Sequence, residues 1–434
     1  MGSLAADAGT HAYPDARDSS LVLTHPTPAE MEQTWRMNHN EWGGALDVPA
    51  YLVREPLLAS TALASDGGMV HWILSESSPR GPDGKRRVLA SCETLRKRVL
   101  YAQPGTDEVR EGLNYGIGSV YTYPEYRGRK YAARMLEDLG AVLRTRPKEE
   151  QKRIGKPSHA VNGATAPTNG HEAGPAEEAV SSALWSDIGK RFYASKGWPA
   201  FPSDHIEFPC APAPAPGIAS LLEQSPRASL TLTPVNDANL AQLCDEDEAQ
   251  LRGELLRHAR ASRRTAFAFA PMPDVMRWHW AREDFVASQV FPDRGRSEVK
   301  GVVAAVDGTR ARMWAVWTRK YSVDASGDAA KNTLYILRFV IVDDDADGKD
   351  DDAGARQLAF DAILRAALDA ARSWHCGAVH FWNPSTLVRG LAASSGVPHA
   401  FVHRDVDSIP SMMWYGPGPS DEVDWVANEK YCWC

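Results

Sequence analysis

What the chain lacks excludes several classes of protein. Its 434 residues carry a net charge of −8, so there is no basic field of the kind that holds nucleic acid, and no nucleic-acid partner is expected. No apolar run approaches the roughly 18 residues of a membrane helix, and no membrane partner is expected either. Met1 to Ser20 has neither a charged start nor an apolar stretch; it reads as a flexible tail without signal-peptide architecture. Cysteine is sparse. Cys92, Cys210, Cys244, Cys376, Cys432 and Cys434 are scattered and form no disulfide framework, which suits a reducing cytoplasm. Cys432-Trp-Cys434 has no second ligand pair nearby, so no metal is expected there.

What is present, 43% apolar and 24% charged residues, is core material for two ordinary domains. The most informative stretch is Gly116 to Leu139. An apolar strand from about Ile117 to Tyr123 stops at Pro124, a basic turn follows at Arg127 to Lys130, and Ala132, Met135, Leu136, Leu139, Val142 and Leu143 then recur at helical spacing. Free N–H groups and the dipole at a helix N-terminus favour an anion, and Arg127, Arg129 and Lys130 add formal charge. Spacing alone fits a phosphate site and an ordinary βα unit with solvated basic residues equally well.

The residues add a resemblance. Val120-Tyr-Thr-Tyr-Pro-Glu-Tyr-Arg-Gly-Arg-Lys-Tyr-Ala132 is similar to the acetyl-CoA pyrophosphate loop of the GNAT superfamily of N-acetyltransferases, with Arg127 and Ala132 at the outer positions and Lys130 in place of the middle Gly. Leu184 to Trp198, with Phe192-Tyr193 and the Gly197-Trp198 stop, resembles the family segment whose tyrosine sits beside the acetyl-CoA sulfur. The order before the loop also resembles a GNAT half. A strand at Leu21–Thr24 is followed by a helix opened by Thr27 and Glu30 in capping-box spacing, a second helix near Val48, strands at Val70–Leu74 and Arg87–Leu95, and another at Arg98–Tyr101.

The expected fold is therefore a mixed-sheet α/β GNAT domain over residues 21–209, interrupted by a surface loop at 146–174. A Pro-rich linker at 210–226 leads to a second domain at 227–434, which repeats the element order. Where a phosphate loop would fall, that domain carries Asp343 to Asp352, whose charges repel a pyrophosphate. This half is expected to be non-catalytic and to help form the substrate pocket. The acidic stretch begins like a calcium loop but has Gly354 at the twelfth position, where a bidentate Glu is needed, so it reads as solvated.

The resemblance implies acetyl-CoA as cosubstrate, held by Ser119, Val120, Tyr121, Arg127, Gly128, Arg129, Lys130, Tyr131 and Ala132, and Tyr193 as the acid for the departing thiolate. Some family members carry a catalytic Glu where this chain has Gly116. A base is needed, because an amine with a pKa of about 10.4 is almost wholly protonated at neutral pH. Glu93, a carboxylate in the apolar strand Ala90–Leu95, is the first candidate; Glu41, beside Trp42, is the second. Glu41, Trp42 and Glu93 are equally candidates for recognising the substrate's cation. Arg338, in an apolar strand, is a candidate for a substrate carboxylate or for a buried ion pair. Trp278, His279 and Trp280 are candidates for the domain interface or the core. Glu41-Trp-Gly-Gly44, Ser91–Leu95, Pro124–Gly128 and Trp185–Gly189 resemble the fungal lysine N6-acetyltransferases, which implies transfer to the side-chain amine of free L-lysine. The alternatives are a protein lysine or N-terminal acetyltransferase, and a non-catalytic acyl-CoA-binding regulator. Oligomeric state is not written in the sequence.

Overall fold

A computed structural model of the chain describes residues 13–78, 86–145, 179–210, 230–342 and 353–433. The 146–174 loop, the 343–352 acidic stretch and all but Cys210 of the 210–226 linker lie outside the described residues.

The first half begins with β1 (Leu21–Thr24) and α1 (Pro28–Trp42). Thr27 Oγ1 accepts from the Glu30 N–H at 3.3 Å and Glu30 Oε2 accepts from the Thr27 N–H at 2.8 Å, so the expected capping box is closed. There follow α2 (Val48–Ala59), β2 (Met69–Glu76), β3 (Val88–Ala102) and β4 (Val109–Thr122). The strands expected at 87–95 and 98–101 are one continuous element. Its first part pairs with β2, and beyond Leu95 it runs past the end of β2 to find another partner.

Next come α3 (Tyr131–Thr145), β5 (Ala179–Ser186), a single-turn helix α4 (Arg191–Ala194) and β6 (Asp204–Pro209). Between Ser186 and Lys196 only this turn is helical, because Ser186 Oγ donates to Gly189 O and accepts from the Ile188 N–H, bending the chain first. Gly197, at φ 103°, ends the segment.

The second half contains β7 (Leu230–Val235), α5 (Leu240–Ser262), β8 (Thr265–Phe269), α6 (Pro273–Val290), β9 (Gly301–Val306), β10 (Arg312–Lys320) and β11 (Thr333–Val342). It ends with α7 (Ala353–Ser373), β12 (Ala378–Trp382), α8 (Thr386–Ser394), β13 (Ala400–His403), β14 (Ile409–Trp414) and β15 (Val423–Trp425). No described helix is long and apolar enough to cross a membrane.

These strands form two mixed sheets. The first runs β1-β2-β3-β4-β5-β14, with β8 on the far end of β3 and β15 on β8; the second runs β13-β6-β12-β11-β10-β9-β7. The halves thus exchange strands. β6 leaves the first half to pair with β12 and β13, while β8, β14 and β15 come from the second half. A boundary at 209 or 227 is therefore not a boundary of the sheets. Each exchange covers an edge that would otherwise expose unpaired N–H and C=O groups. β5, buried along its whole length, needs such a partner on both sides.

Residues 13–20 are also seated. Tyr131 Oη donates to Pro14 O at 2.6 Å, Arg134 Nη1 donates to Ala16 O at 3.0 Å, and Ala16 is buried in the first core.

Candidate active site

The site is made by a fault in β4. Register with β3 passes from Ser91↔Tyr121 to Glu93↔Gly118, so Ser119 and Val120 both stand opposite Cys92, a β-bulge, and Ser119 takes a left-handed φ of 52°. On its other side β4 runs parallel to β5 only as far as Ile117↔Leu184. Ser119 and Val120 are skipped by both pairings, which leaves their backbone groups to the space that opens beyond. That space is a cleft of about 690 Å³ lined on one wall by residues 117–122 and on the other by Leu184, Trp185, Asp187, Ile188, Phe192 and Tyr193.

Arg127 and Ala132 close one end of the cleft, with Glu41 and Trp42 beside them. Among the described residues the N–H groups of 128–133 have no backbone acceptor, because the turn leaves them ahead of the first helical bond, Arg134 N–H to Lys130 O. Gly128 and Lys130 both hold positive φ, 80° and 67°. Lys130 thus adopts the left-handed geometry in which glycine is at ease. Arg127 lies over the Tyr121 ring at 5.4 Å and has Glu41 at 3.7 Å, while Arg129 lies over Tyr13 at 4.5 Å.

Two expected residues sit differently from the reading of the sequence. The Tyr131 side chain is 1% exposed and packs in the core, so only its backbone N–H faces the turn. Glu41 stands half-exposed at the mouth beside Arg127, away from the deep wall.

Tyr193 is buried on the wall opposite the bulge, edge-on to Phe192 at 5.1 Å. Burial pushes its phenol well above the ordinary value, so it stays protonated. Glu93 lies behind the bulge. Ser119 Oγ donates to Glu93 Oε1 at 2.9 Å, and His71 Nδ1 is 3.6 Å from Glu93 Oε2. Ser119 lines both the cleft and the small space around Glu93, so the carboxylate meets the cleft through the serine. Burial raises the Glu93 pKa, against the Ser119 bond and the fields of Arg54 and Arg282; burial likewise lowers that of His71.

The sequence reading missed the rest of the wall. Arg54 and Glu55, on α2, form a buried pair at 2.5 Å, and burial raises the Glu55 pKa, to which Glu93 adds. Their one legible signal was a charged pair inside the apolar helix Val48–Ala59. Asp407 and Trp433 come to the cleft from the far end of the chain. Lys97 Nζ fastens that end by donating to Cys432 O at 2.8 Å and Trp433 O at 2.9 Å.

The second sheet repeats the construction, but a side chain takes the backbone amide beside its bulge. β11 carries a bulge at Leu337, between Val316↔Arg338 and Trp317↔Ile336, and pairs in parallel with β12 only from Thr333 to Ile336. Here Glu429 Oε2 accepts from the Phe339 N–H at 2.8 Å, and Arg338 holds Asp247 through two bonds, at 2.8 and 2.7 Å, and also Glu429. Arg338 is therefore a buried ion-pair residue. The adjoining cavity, about 1140 Å³, lies in this half, away from Tyr193. Trp278 packs against Leu58 and Leu95 of the first half, whereas Trp280 is a core residue donating to Trp317 O at 3.1 Å and His279 Nε2 lies 3.3 Å from Tyr431 O.

Among the described residues one group, His205, Glu207 and His380 on paired strands β6 and β12, has metal-ligand spacing, its ligand atoms lying within 4.8 Å of one another. The Arg404 guanidinium acts on both imidazoles and opposes a cation there.

Comparison with known proteins agrees with this architecture. Residues 219–434 match the family described as the LYC1 GNAT-like C-terminal domain. The second half of the chain thus resembles a GNAT-like domain, and the first half shows the same construction, a bulged strand splayed from its parallel neighbour. Among curated proteins, a lysine acetyltransferase of Yarrowia lipolytica is 27% identical over 172 residues, covering 40% of this chain and 38% of its own length. An uncharacterized protein of Saccharomyces cerevisiae is 26% identical over 142 residues, 29% of this chain and 36% of its own length. The matched stretches thus span less than two-fifths of either relative. Solved structures similar to this chain include a probable N-acyltransferase from Enterococcus faecalis (13% identity, 91% of this chain and 72% of that one, TM-score 0.47). Another is a GCN5-related N-acetyltransferase from Kribbella flavida (15% identity, 90% and 70%, TM-score 0.46).

Proposed function

We propose that the protein is an acetyl-CoA-dependent N-acetyltransferase acting on the side-chain amine of free L-lysine. The observation that carries this reading is the bulge at Ser119–Val120, which opens a cleft between the basic turn and a buried, protonated tyrosine.

The N–H groups of 128–132, with Arg127, Arg129 and Lys130 around them, suit the pyrophosphate of acetyl-CoA. The freed N–H at the bulge suits the oxyanion that develops when the amine nitrogen bonds to the thioester carbon. Glu93 accepts the amine's proton through Ser119, and Tyr193 donates a proton to the sulfur as the C–S bond breaks. The ammonium first loses one proton to solvent on becoming the free amine; Glu93 passes the second to solvent as Tyr193 regains its own, so one proton is released per transfer. In the second half the corresponding amide is taken by Glu429, which supports one catalytic site per chain.

The lysine assignment is supported by the Yarrowia lipolytica relative's name and by the lining of the cleft, to which Asp407 and Trp433 of the second half contribute a carboxylate and an aromatic face suited to a small cationic amine. The test is incubation with acetyl-CoA and a panel of amines and peptides, following thiol release and product mass. Acetylation of free lysine at its side chain is expected. Absence of thiol release with every amine would overturn the reading.

A further inference from the structure

Near Trp433, which lines the cleft, three cations form no ion pair among the described residues. Arg282, on α6, faces Arg54 and Glu55 of α2; its guanidinium lies 5.2 Å over the Trp433 ring, and among the described residues it forms no ion pair or hydrogen bond. Lys430 is 7% exposed, and its ammonium sits 4.0 Å over the same Trp433 ring, 4.1 Å over Trp382 and 4.8 Å over Tyr335; among the described residues it forms no ion pair, and only the field of Asp187 reaches it. Lys320, at the end of β10, has no ion pair among the described residues, and its field reaches Lys430.

Trp433, shared by Arg282 and Lys430, also lines the cleft that holds Ser119 and Tyr193. Lys430 is buried and Arg282 partly buried beside like charge with no ion pair among the described residues, which is costly, and folding alone gives no reason to keep them. The cluster reads as a site completed by a ligand. Aromatic faces hold a cation in place without neutralising it, so they keep the charge for an incoming group. The surrounding carboxylates act through their fields without pairing: Glu55 and Glu93 on Arg282, and Asp187 and Asp407, which line the cleft, on Lys320.

We propose that Arg282, Lys320 and Lys430 form a carboxylate subsite, so that the acceptor is an amino acid gripped by its carboxylate here while its distal amine is presented at Ser119. This inference rests on the acetyltransferase reading and adds what selects the acceptor. Asp187 and Asp407, close enough for their fields to reach Lys320, suit the α-ammonium of the same molecule. Recognition of both charges at one end, with an extended methylene chain between that end and the bulge, separates a diamino acid from a plain diamine.

The test compares L-lysine with cadaverine, which keeps the amine and chain but has no carboxylate, and with lysinamide, whose carboxylate is neutralised. For the full-length protein KM is expected to be at least tenfold higher for cadaverine and lysinamide than for lysine. In Arg282→Gln the ratio of the cadaverine and lysine KM values should fall toward one. Lys320→Gln, at an exposed strand end, should shift the same ratio and covers the case in which Arg282→Gln fails to fold. Equal KM values for lysine and cadaverine in the unmodified protein, or a ratio unchanged in both variants, would overturn the subsite. Either result leaves the acetyltransferase reading standing, whereas silence toward all three amines would remove that reading instead.

Discussion

Glu93 is a carboxylate in a strand whose neighbours Ala90, Ser91, Cys92, Thr94 and Leu95 are all buried. Desolvation favours its protonated form in the folded chain, so its folded pKa lies above its unfolded one. The stability this group contributes is then fully present below the ordinary carboxylate range and is lost as pH rises through the raised pKa. Glu93→Gln removes that loss. The variant should gain stability over the unmodified protein at pH 8 and show no such gain at pH 4, as read from melting temperatures at the two values. Its kcat/KM should fall by about 10²-fold, the ordinary contribution of a general base. A carboxylate at this point was legible because a charge in an apolar strand asks for an explanation. Tyr131 shows the opposite case: it belongs to the expected cofactor set by motif position, but the first turn of α3 points its ring into the core.

On the proposed reading, the turn between β4 and α3 is the element that holds acetyl-CoA. Its sequence announced charge and a helix start, but not backbone shape. Gly128 holds φ 80° with no atom within 4 Å of an added Cβ, so Gly128→Ala has space and suffers only the left-handed penalty of about 1–2 kcal/mol. The expected result is a KM for acetyl-CoA raised several-fold with kcat kept, together with a slightly lowered melting temperature. Steady-state kinetics at saturating amine would read the first. Lys130, at φ 67°, already bears a cost of this kind, and the charge it brings to a pyrophosphate site is a physical reason for keeping it there. β4 itself was readable as an apolar strand. Its bulge was not, because a single extra residue leaves no mark on composition or periodicity.

In the whole molecule the exchange of strands makes the two halves dependent on each other. A fragment of residues 13–210 would lack β14 beside β5 and β8 beside β3, and the remainder would lack β6 between β12 and β13. Neither fragment should fold alone, as read from circular dichroism and solubility, while the two expressed together should assemble. The intact chain should unfold in one calorimetric transition. The exchange also explains why the acceptor side is built from both halves: α6, β10 and the segment ending at Trp433 all come from the second.

The sequence by itself determined the α/β class and the strand, basic turn and helix around Arg127–Lys130, and it pointed to Tyr193 and Glu93 as candidates. These are signals of local spacing or of a residue at odds with its neighbours, and both survive in one dimension. Only the tertiary structure decided which strands pair, that β4 is bulged at Ser119, that Arg338 is spent on Asp247 and Glu429, and that Arg282 and Lys430 share the Trp433 ring at the cleft. Long-range pairing and the summing of charges from distant elements depend on distances that chain separation does not encode.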